Sequence, residues 1–202
     1  VAGELAMMVA KGLAPLTATG FLTQLTDAVV QDVYHHIQVP SLRVVIEESD
    51  KNELVPVAFL ASKNIHCGFG HFGHQLLYYL GGIIVDHAHR GIGRPLLQDE
   101  LEKTKATYLG LHTQNRKMLS VAEKLADFDL NVAEANAEQV GTSRQNRQYS
   151  DLPGRGTYLI HSQRYGRSSL YGDLVKFYEQ GMNIPGLDPQ SGDAVVFVGR
   201  IK

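Results

Sequence analysis

Two arginines and two glycines fall within five residues, Arg90-Gly91-Ile92-Gly93-Arg94, and their types and spacing could do chemistry. Glycine accepts positive φ and has no Cβ, so backbone at Gly91 and Gly93 can approach a ligand closely. The guanidinium groups of Arg90 and Arg94 suit phosphate oxygens. Pro95 fits the first turn of a helix, and amides at a helix start lack intrahelical acceptors and carry the positive end of the dipole. These features predict a cradle for phosphate. The other reading is an Arg-Gly turn that only joins a strand to a helix, because short glycine motifs are weak signals. A nucleotide-binding P-loop is poorly supported, since no Gly-Lys-Ser/Thr follows.

Other reactive residues are less organised. His66, Cys67, His71 and His74 cluster, but Gly68, Gly70 and Gly73 among them predict an irregular loop. Their spacing is not that of a zinc site, so no metal is expected. Arg144, Arg147 and Arg155 are either anion contacts or part of a solvated loop. The lone cysteine excludes an internal disulfide framework and fits a reducing, cytoplasmic setting, with Cys67 a small buried residue.

Several elements must position these groups. Leu22, Leu25, Val29, Val33 and Ile37 recur at three- and four-residue steps, predicting helix within residues 1–40, ended by Pro40. Residues 42–49 and 54–62 read as antiparallel strands around the turn Asp50-Lys51-Asn52-Glu53, and Pro56 signals an edge or a bulge. Residues 63–75 read as a loop. The apolar run from Leu76 to Val85 suits a strand buried on both faces. The glycine turn follows, then a helix buried through Leu97 and Leu101, a strand at 106–113, and an amphipathic helix marked by Met118, Leu119, Ala122, Leu125 and Ala126. Residues 131–156 turn polar and read as a mobile surface loop, or as a poorly patterned helix at their start. A strand at 157–161, a helix at about 169–180 and a strand at 194–201 complete the chain.

With 202 residues, one domain is expected, two small ones being the alternative. The 44% hydrophobic and 20% charged fractions are those of a globular protein. A net charge of -2 gives no global reason to expect nucleic acid. No apolar run approaches the roughly 20 residues that span a bilayer, so no membrane partner is expected. The segment LAMMVAKGLAPL, interrupted by Lys11 and without a basic leader, is a poor signal peptide. This mixture of strands and helices predicts the α/β class, with antiparallel strands first and a parallel pair in the middle.

The succession of buried strand, HRGIGRPLL turn, helix, strand and NRKMLSVAEKLADF resembles the GNAT superfamily of acyl-CoA N-acyltransferases. Arg90 and Gly93 match the first and fourth positions of that family's turn signature, and Pro95 stands where Gly or Ala is usual. A second alignment treats the turn as shortened by two residues, with Gly91 and Gly93 kept on either side of the gap. The resemblance is strong over residues 76–128, extends over 42–62, and is weak at both ends. It implies a GNAT-like fold, a central mixed sheet of about six to seven strands flanked by helices. Residues 1–202 would form a single domain: a helical part at 1–40, a cofactor-binding core at 42–128, a polar loop at 131–156, and C-terminal strands and helix at 157–202.

The resemblance also implies chemistry. Acetyl-CoA or another acyl-CoA would place its pyrophosphate at Arg90, Gly91, Ile92, Gly93 and Arg94. Its pantetheine would run beside Ile83, Ile84 and Val85, with Asn115 as a further contact. Strand amides could pair with pantetheine and polarise the thioester. A small-molecule or peptide amine acceptor would attack directly once it has lost a proton, which requires a base or a water chain. His112 is the candidate relay, set against a structural histidine within the sheet. Asp86, His87 and His89 read as loop residues. Ala122 stands where many members carry a tyrosine acid, and Tyr165 and Tyr171 are replacement candidates. The histidine-rich loop at 63–75 would lie near the acceptor. The competing class is a GNAT-like module of a larger protein that binds acyl-CoA or acyl-carrier groups without transfer. The run DAVVFVGRIK would end the domain's own sheet or pair with a second subunit in a homodimer.

Overall fold

The computed structural model describes residues 2–21, 23–68, 74–152, 154–164, 186–188 and 190–202. They form an α/β protein with an open multi-strand sheet flanked by helices. Eight strands and five α-helices fall among the described residues. Two compact units divide the chain, the first from residues 1–63 and 80–100, the second from 64–79 and 101–202. None of the described helices is long and apolar enough to cross a membrane.

In the first unit, α1 (Ala2–Gly20) and α2 (Asp27–Ile37) pack together. Ala10, Leu13, Ala14 and Leu16 meet Val33, Ile37, Phe59 and Ile84 in one apolar cluster. The first forty residues are therefore helical with a break that the periodicity of Leu22 and Leu25 concealed. Thr23 donates to the Ala18 carbonyl (2.9 Å), and Thr26 caps α2 by accepting from the Val29 amide (3.4 Å). Leu25, in the break, is exposed.

Strand β1 (Ser41–Glu48) pairs antiparallel with β2 (Leu54–Gly68), which neighbours β3 (His74–Val85). The register slips where Val45 opposes Ala58 and Ile46 opposes Pro56, leaving Val57 as the extra residue. This is the bulge Pro56 signalled, since proline has no N–H for the ladder. The Val57 carbonyl instead accepts from the Asp86 amide (2.8 Å) at the end of β3. Helix α3 (Gly93–Thr104) then begins.

In the second unit, β3 is followed in the strand order by β4 (Tyr108–Thr113), β8 (Ala194–Ile201), β7 (Gly156–His161) and β6 (Arg147–Leu152). Helix α4 (Arg116–Leu125) leads into the short strand β5 (Ala126–Phe128), and α5 (Leu130–Ala135) follows. Strand β8 pairs antiparallel with β4 along one edge, and with β7 and β5 in succession along the other. Both of its edges are thereby used within the chain. Ala194 to Val198 are buried, as a central strand requires. A Cβ at Gly199 would come 2.7 Å from the Asp127 carbonyl oxygen, so only glycine lets β5 approach.

Two stretches expected to be loops are partly strand. Strand β2 runs on to Gly68 and β3 starts at His74, because Ile65 and Cys67 alternate into an apolar cluster despite the glycines nearby. The polar stretch 131–156 contains most of α5, a 3-10 turn at Arg144–Asn146 and all of β6. Ser150 and Leu152 give β6 its buried face, a pattern too short to stand out in a polar segment. The helix expected at 169–180 lies outside the described residues, as do Tyr165 and Tyr171.

Candidate functional site

The turn after β3 is built by Asp86. Its carboxylate accepts from the Ala88 amide (3.0 Å) and from Nδ1 of His89 (3.2 Å), capping a 3-10 turn at His87–His89. The His89 amide donates to the Asp86 carbonyl (3.0 Å), the Ile92 amide to the His89 carbonyl (3.4 Å), and the Leu96 amide to the Ile92 carbonyl (3.0 Å). Those amides are used within the turn. The amides of Arg90, Gly91, Gly93 and Arg94 donate to no backbone carbonyl among the described residues. Of the five residues expected to form the cradle, Ile92 has its amide spent within the turn.

Each glycine has a distinct reason. Gly91 has φ +110°, outside what other L-residues readily adopt. At Gly93 a Cβ would sit 3.2 Å from Val85 Cγ2 and 3.5 Å from Ile83 Cδ1, so α3 starts close against β3. Pro95 falls in the first turn of α3, where its missing N–H breaks no helical bond. Arg90 is exposed and donates to Nδ1 of His87 (2.6 Å); Arg94 is exposed. Nε2 of His89 lies 2.7 Å from the Glu47 carboxylate on β1. Hydrogen bonds to Asp86 and Glu47 raise the His89 pKa, while for Asp86 desolvation pushes the pKa up but is outweighed by the bonds from the Ala88 amide, His89 and the His87 amide taken together, which hold the carboxyl low. Ile84 is buried in the helix-facing cluster, and alternation along β3 puts Ile83 and Val85 on the opposite face.

The donor set fits a pyrophosphate: free main-chain N–H groups, a position with open space where a Cβ would be, and two guanidinium groups. The proline contributes no donor, and the amides of residues 86–89 are already used.

Asn115 caps α4 in the second unit. Its Oδ1 accepts from the amides of Lys117 (2.9 Å) and Met118 (3.4 Å), so the cap leaves only Nδ2 for a ligand. Ala122 is fully buried in α4, which makes its position core rather than a place for an acid.

His112, near the end of β4, belongs to a polar network. Its Nδ1 lies 3.1 Å from the Tyr79 hydroxyl and its Nε2 2.9 Å from the Thr142 hydroxyl. Nδ1 of His161 is 3.3 Å from the same Nε2 and 3.4 Å from the Thr142 hydroxyl. Arg164 donates to the Tyr79 oxygen (3.1 Å). Desolvation, then the charges of Arg164 and His161, push the His112 pKa well below the ordinary histidine value. Desolvation and Arg164 lower His161 to about 4, with Asp193 opposing. Both rings are therefore neutral at pH 7. Tyr79, Thr142, His161 and Arg164 were missed in the sequence. Tyr79 carried one signal, because a phenol within a buried strand needs a partner for its hydroxyl.

The three arginines of the polar stretch hold structural partners. Arg155 pairs with Glu123 (2.9 Å), which also accepts from the Tyr158 hydroxyl (2.8 Å). Arg144 and Arg147 approach Glu138 at 3.3 and 3.6 Å. His66 is exposed and Cys67 buried on β2; the His71 position and the His74 side chain lie outside the described residues. No group of three metal-ligating side chains occurs among the described residues.

No family model and no curated protein matches the chain. Solved structures similar to it include Naa20 of Chaetomium thermophilum in complex with a bisubstrate analogue, at 12% identity over 95% of this chain and 81% of that one, with a TM-score of 0.44. NAA60 of Arabidopsis thaliana, also with a bisubstrate analogue, is similar at 13% identity over 96% and 94%, with a TM-score of 0.42. An aminoglycoside 6'-N-acetyltransferase complexed with coenzyme A is similar at 16% identity over 96% and 92%, with a TM-score of 0.40.

Proposed function

We propose that this chain transfers an acyl group from acyl-CoA, acetyl-CoA being the simplest donor, to the amine of a small molecule or peptide by direct attack. The observation that carries the reading is the turn joining β3 to α3. Its amides at Arg90, Gly91, Gly93 and Arg94 have no backbone acceptors, and Gly91 holds a positive φ there. That is the local geometry expected of a pyrophosphate cradle, in the segment that resembles the GNAT superfamily. Ile83, Ile84, Val85 and Ile92 are the proposed contacts on either side of it, and Asn115 Nδ2 is a further one.

In this reading the protein binds and orients the thioester, and His112 receives the acceptor's proton. A neutral imidazole with a depressed pKa cannot hold that proton for long, so it serves as a relay rather than a store. The test is a free-thiol assay with acetyl-CoA and a panel of polyamines, amino acids and peptides. Acceptor-dependent thiol release is expected, and His112→Ala should lower kcat by roughly 10²–10⁴-fold with unchanged CoA affinity. Tight CoA binding without acceptor-dependent release would identify a binding module instead.

A further inference from the structure

We propose that β1 holds the glycine turn in its CoA-binding form through a Glu47–His89–Asp86 clasp, which closes when both ring nitrogens of His89 carry protons. Glu47 and His89 are then positioning residues, and CoA binds more tightly in acid than in alkali. The proposal rests on the cradle reading above and lies wholly within the first unit. It starts from the two partners of one ring. Nε2 of His89 lies 2.7 Å from a carboxylate oxygen of Glu47, and Nδ1 lies 3.2 Å from one of Asp86. An ionised carboxylate only accepts, so both nitrogens must donate, and only the imidazolium has two N–H groups. A neutral ring keeps one bond and turns a lone pair toward the other carboxylate.

The strand is placed to hold the turn. Arg43, Val45 and Glu47 alternate onto one face of β1. Glu47 takes His89, just before the cradle, and Arg43 pairs with Asp99 (3.3 Å) and Glu100 of α3, after it. The amides of Arg90, Gly91, Gly93 and Arg94 therefore lie between two fastenings made by the same strand. A third point comes from β2, where the Val57 carbonyl at the bulge accepts from the Asp86 amide (2.8 Å). The guanidinium of Arg43 keeps its charge at every working pH. The His89 fastening titrates.

The charges that act on the ring are Asp86, at the end of β3, and Glu47 on β1. Within the turn Arg90 donates to Nδ1 of His87 (2.6 Å), and on α3 Asp99 and Glu100 take Arg43. Bonds to Asp86 and then to Glu47 raise His89 above its ordinary value of 6.5. The clasp is thus complete below that pH and opens as pH rises through the higher value of the clasped ring. Once it is open, a bound pyrophosphate must order the turn itself, which weakens binding. The His89 side chain is 29% exposed and that of Glu47 57%, so the pair is solvated and its effect modest, about threefold in affinity.

Calorimetric titration with CoA reads the effect. From pH 6 to pH 9 the wild-type affinity should fall about threefold relative to His89→Gln in the same buffers, a ratio in which ionisation of CoA itself cancels. Glu47→Ala separates the clasp from simple charge. Removing an acid near an anion site should tighten binding if charge alone matters, whereas loss of the clasp weakens it about threefold at pH 6. Combined with His89→Gln, Glu47→Ala should change nothing further. Proton NMR should show the His89 ring losing its proton at a lower pH in Glu47→Ala than in the wild type. Tighter or unchanged CoA binding by Glu47→Ala at pH 6 overturns the clasp, as does a wild-type pH profile that matches His89→Gln. Identical His89 titrations in wild type and Glu47→Ala overturn it whatever CoA does. A wild type that binds no CoA at pH 6 would instead overturn the cradle and the proposed function, and the clasp's role with them.

Discussion

Replacing Gly91 by alanine isolates the backbone's part in anion binding. A Cβ at this position meets nothing within 4 Å, so steric contact contributes no cost. What changes is the energy of holding φ at +110°, about 1–3 kcal/mol for a residue with a side chain. At 1.4 kcal/mol per decade, that corresponds to about 5- to 150-fold in an equilibrium constant. Where the loss appears depends on what holds the turn. If bonds from Ile92 and Asp86 impose the conformation in the free protein, the melting temperature falls. If only a bound pyrophosphate demands it, CoA affinity falls and the melting temperature stays. Calorimetric titration with CoA alongside thermal unfolding reads both. Gly154→Ala is the control: φ there is +74°, the space is equally open, and the position precedes β7, so it should cost stability and leave CoA binding alone. Arg90→Ala removes one exposed guanidinium and should weaken CoA about tenfold. Wild-type CoA affinity in both Gly91→Ala and Arg90→Ala would refute the cradle.

Two further outcomes follow from the second unit. His161 has a folded-state pKa of about 4, below its unfolded value, so the fold favours the neutral ring. Its contribution is complete above pH 6.5 and is lost as pH falls toward 4, about 3 kcal/mol in all. Urea midpoints measured from pH 7 to 4 should fall more steeply for the wild type than for His161→Gln; parallel slopes would contradict the assignment. Glu123 joins α4 to β7 through Tyr158 and Arg155. Glu123→Ala leaves the largely buried Tyr158 hydroxyl without its acceptor, a loss of about 1–3 kcal/mol. In a double-mutant cycle with Tyr158→Phe the two costs should be strongly non-additive, and simple addition would show that the contact is idle.

The middle of the chain was the readable part. Strand β3, the glycine turn, α3, β4 and α4 each combine an unbroken apolar pattern with a clear breaker, and Pro56 announced the bulge in β2. Elsewhere two kinds of signal failed. Leu25 continued the helical spacing across a break that Thr26 imposes by capping, because periodicity does not register a cap's competing hydrogen bond. Strand β6 hides in a polar stretch since its buried face consists of Ser150 and Leu152 only. The glycine turn was legible because a local sequence builds it. The network around His112 was not, because Tyr79, Thr142, His161 and Arg164 converge from separate elements and no spacing rule links them.

The placement of β8 has a consequence for how the second unit is made. The strand that seals the flanks of β4, β5 and β7 comes after all three in chain order, so those partners must wait for it during synthesis. Until then, apolar residues such as Leu109, Leu111, Leu159 and Ile160 border unsatisfied ladders. Such long-range closure is slow and exposes sticky intermediates. Nascent chains halted before Ala194 should therefore depend on chaperones in a way that chains containing β8 do not.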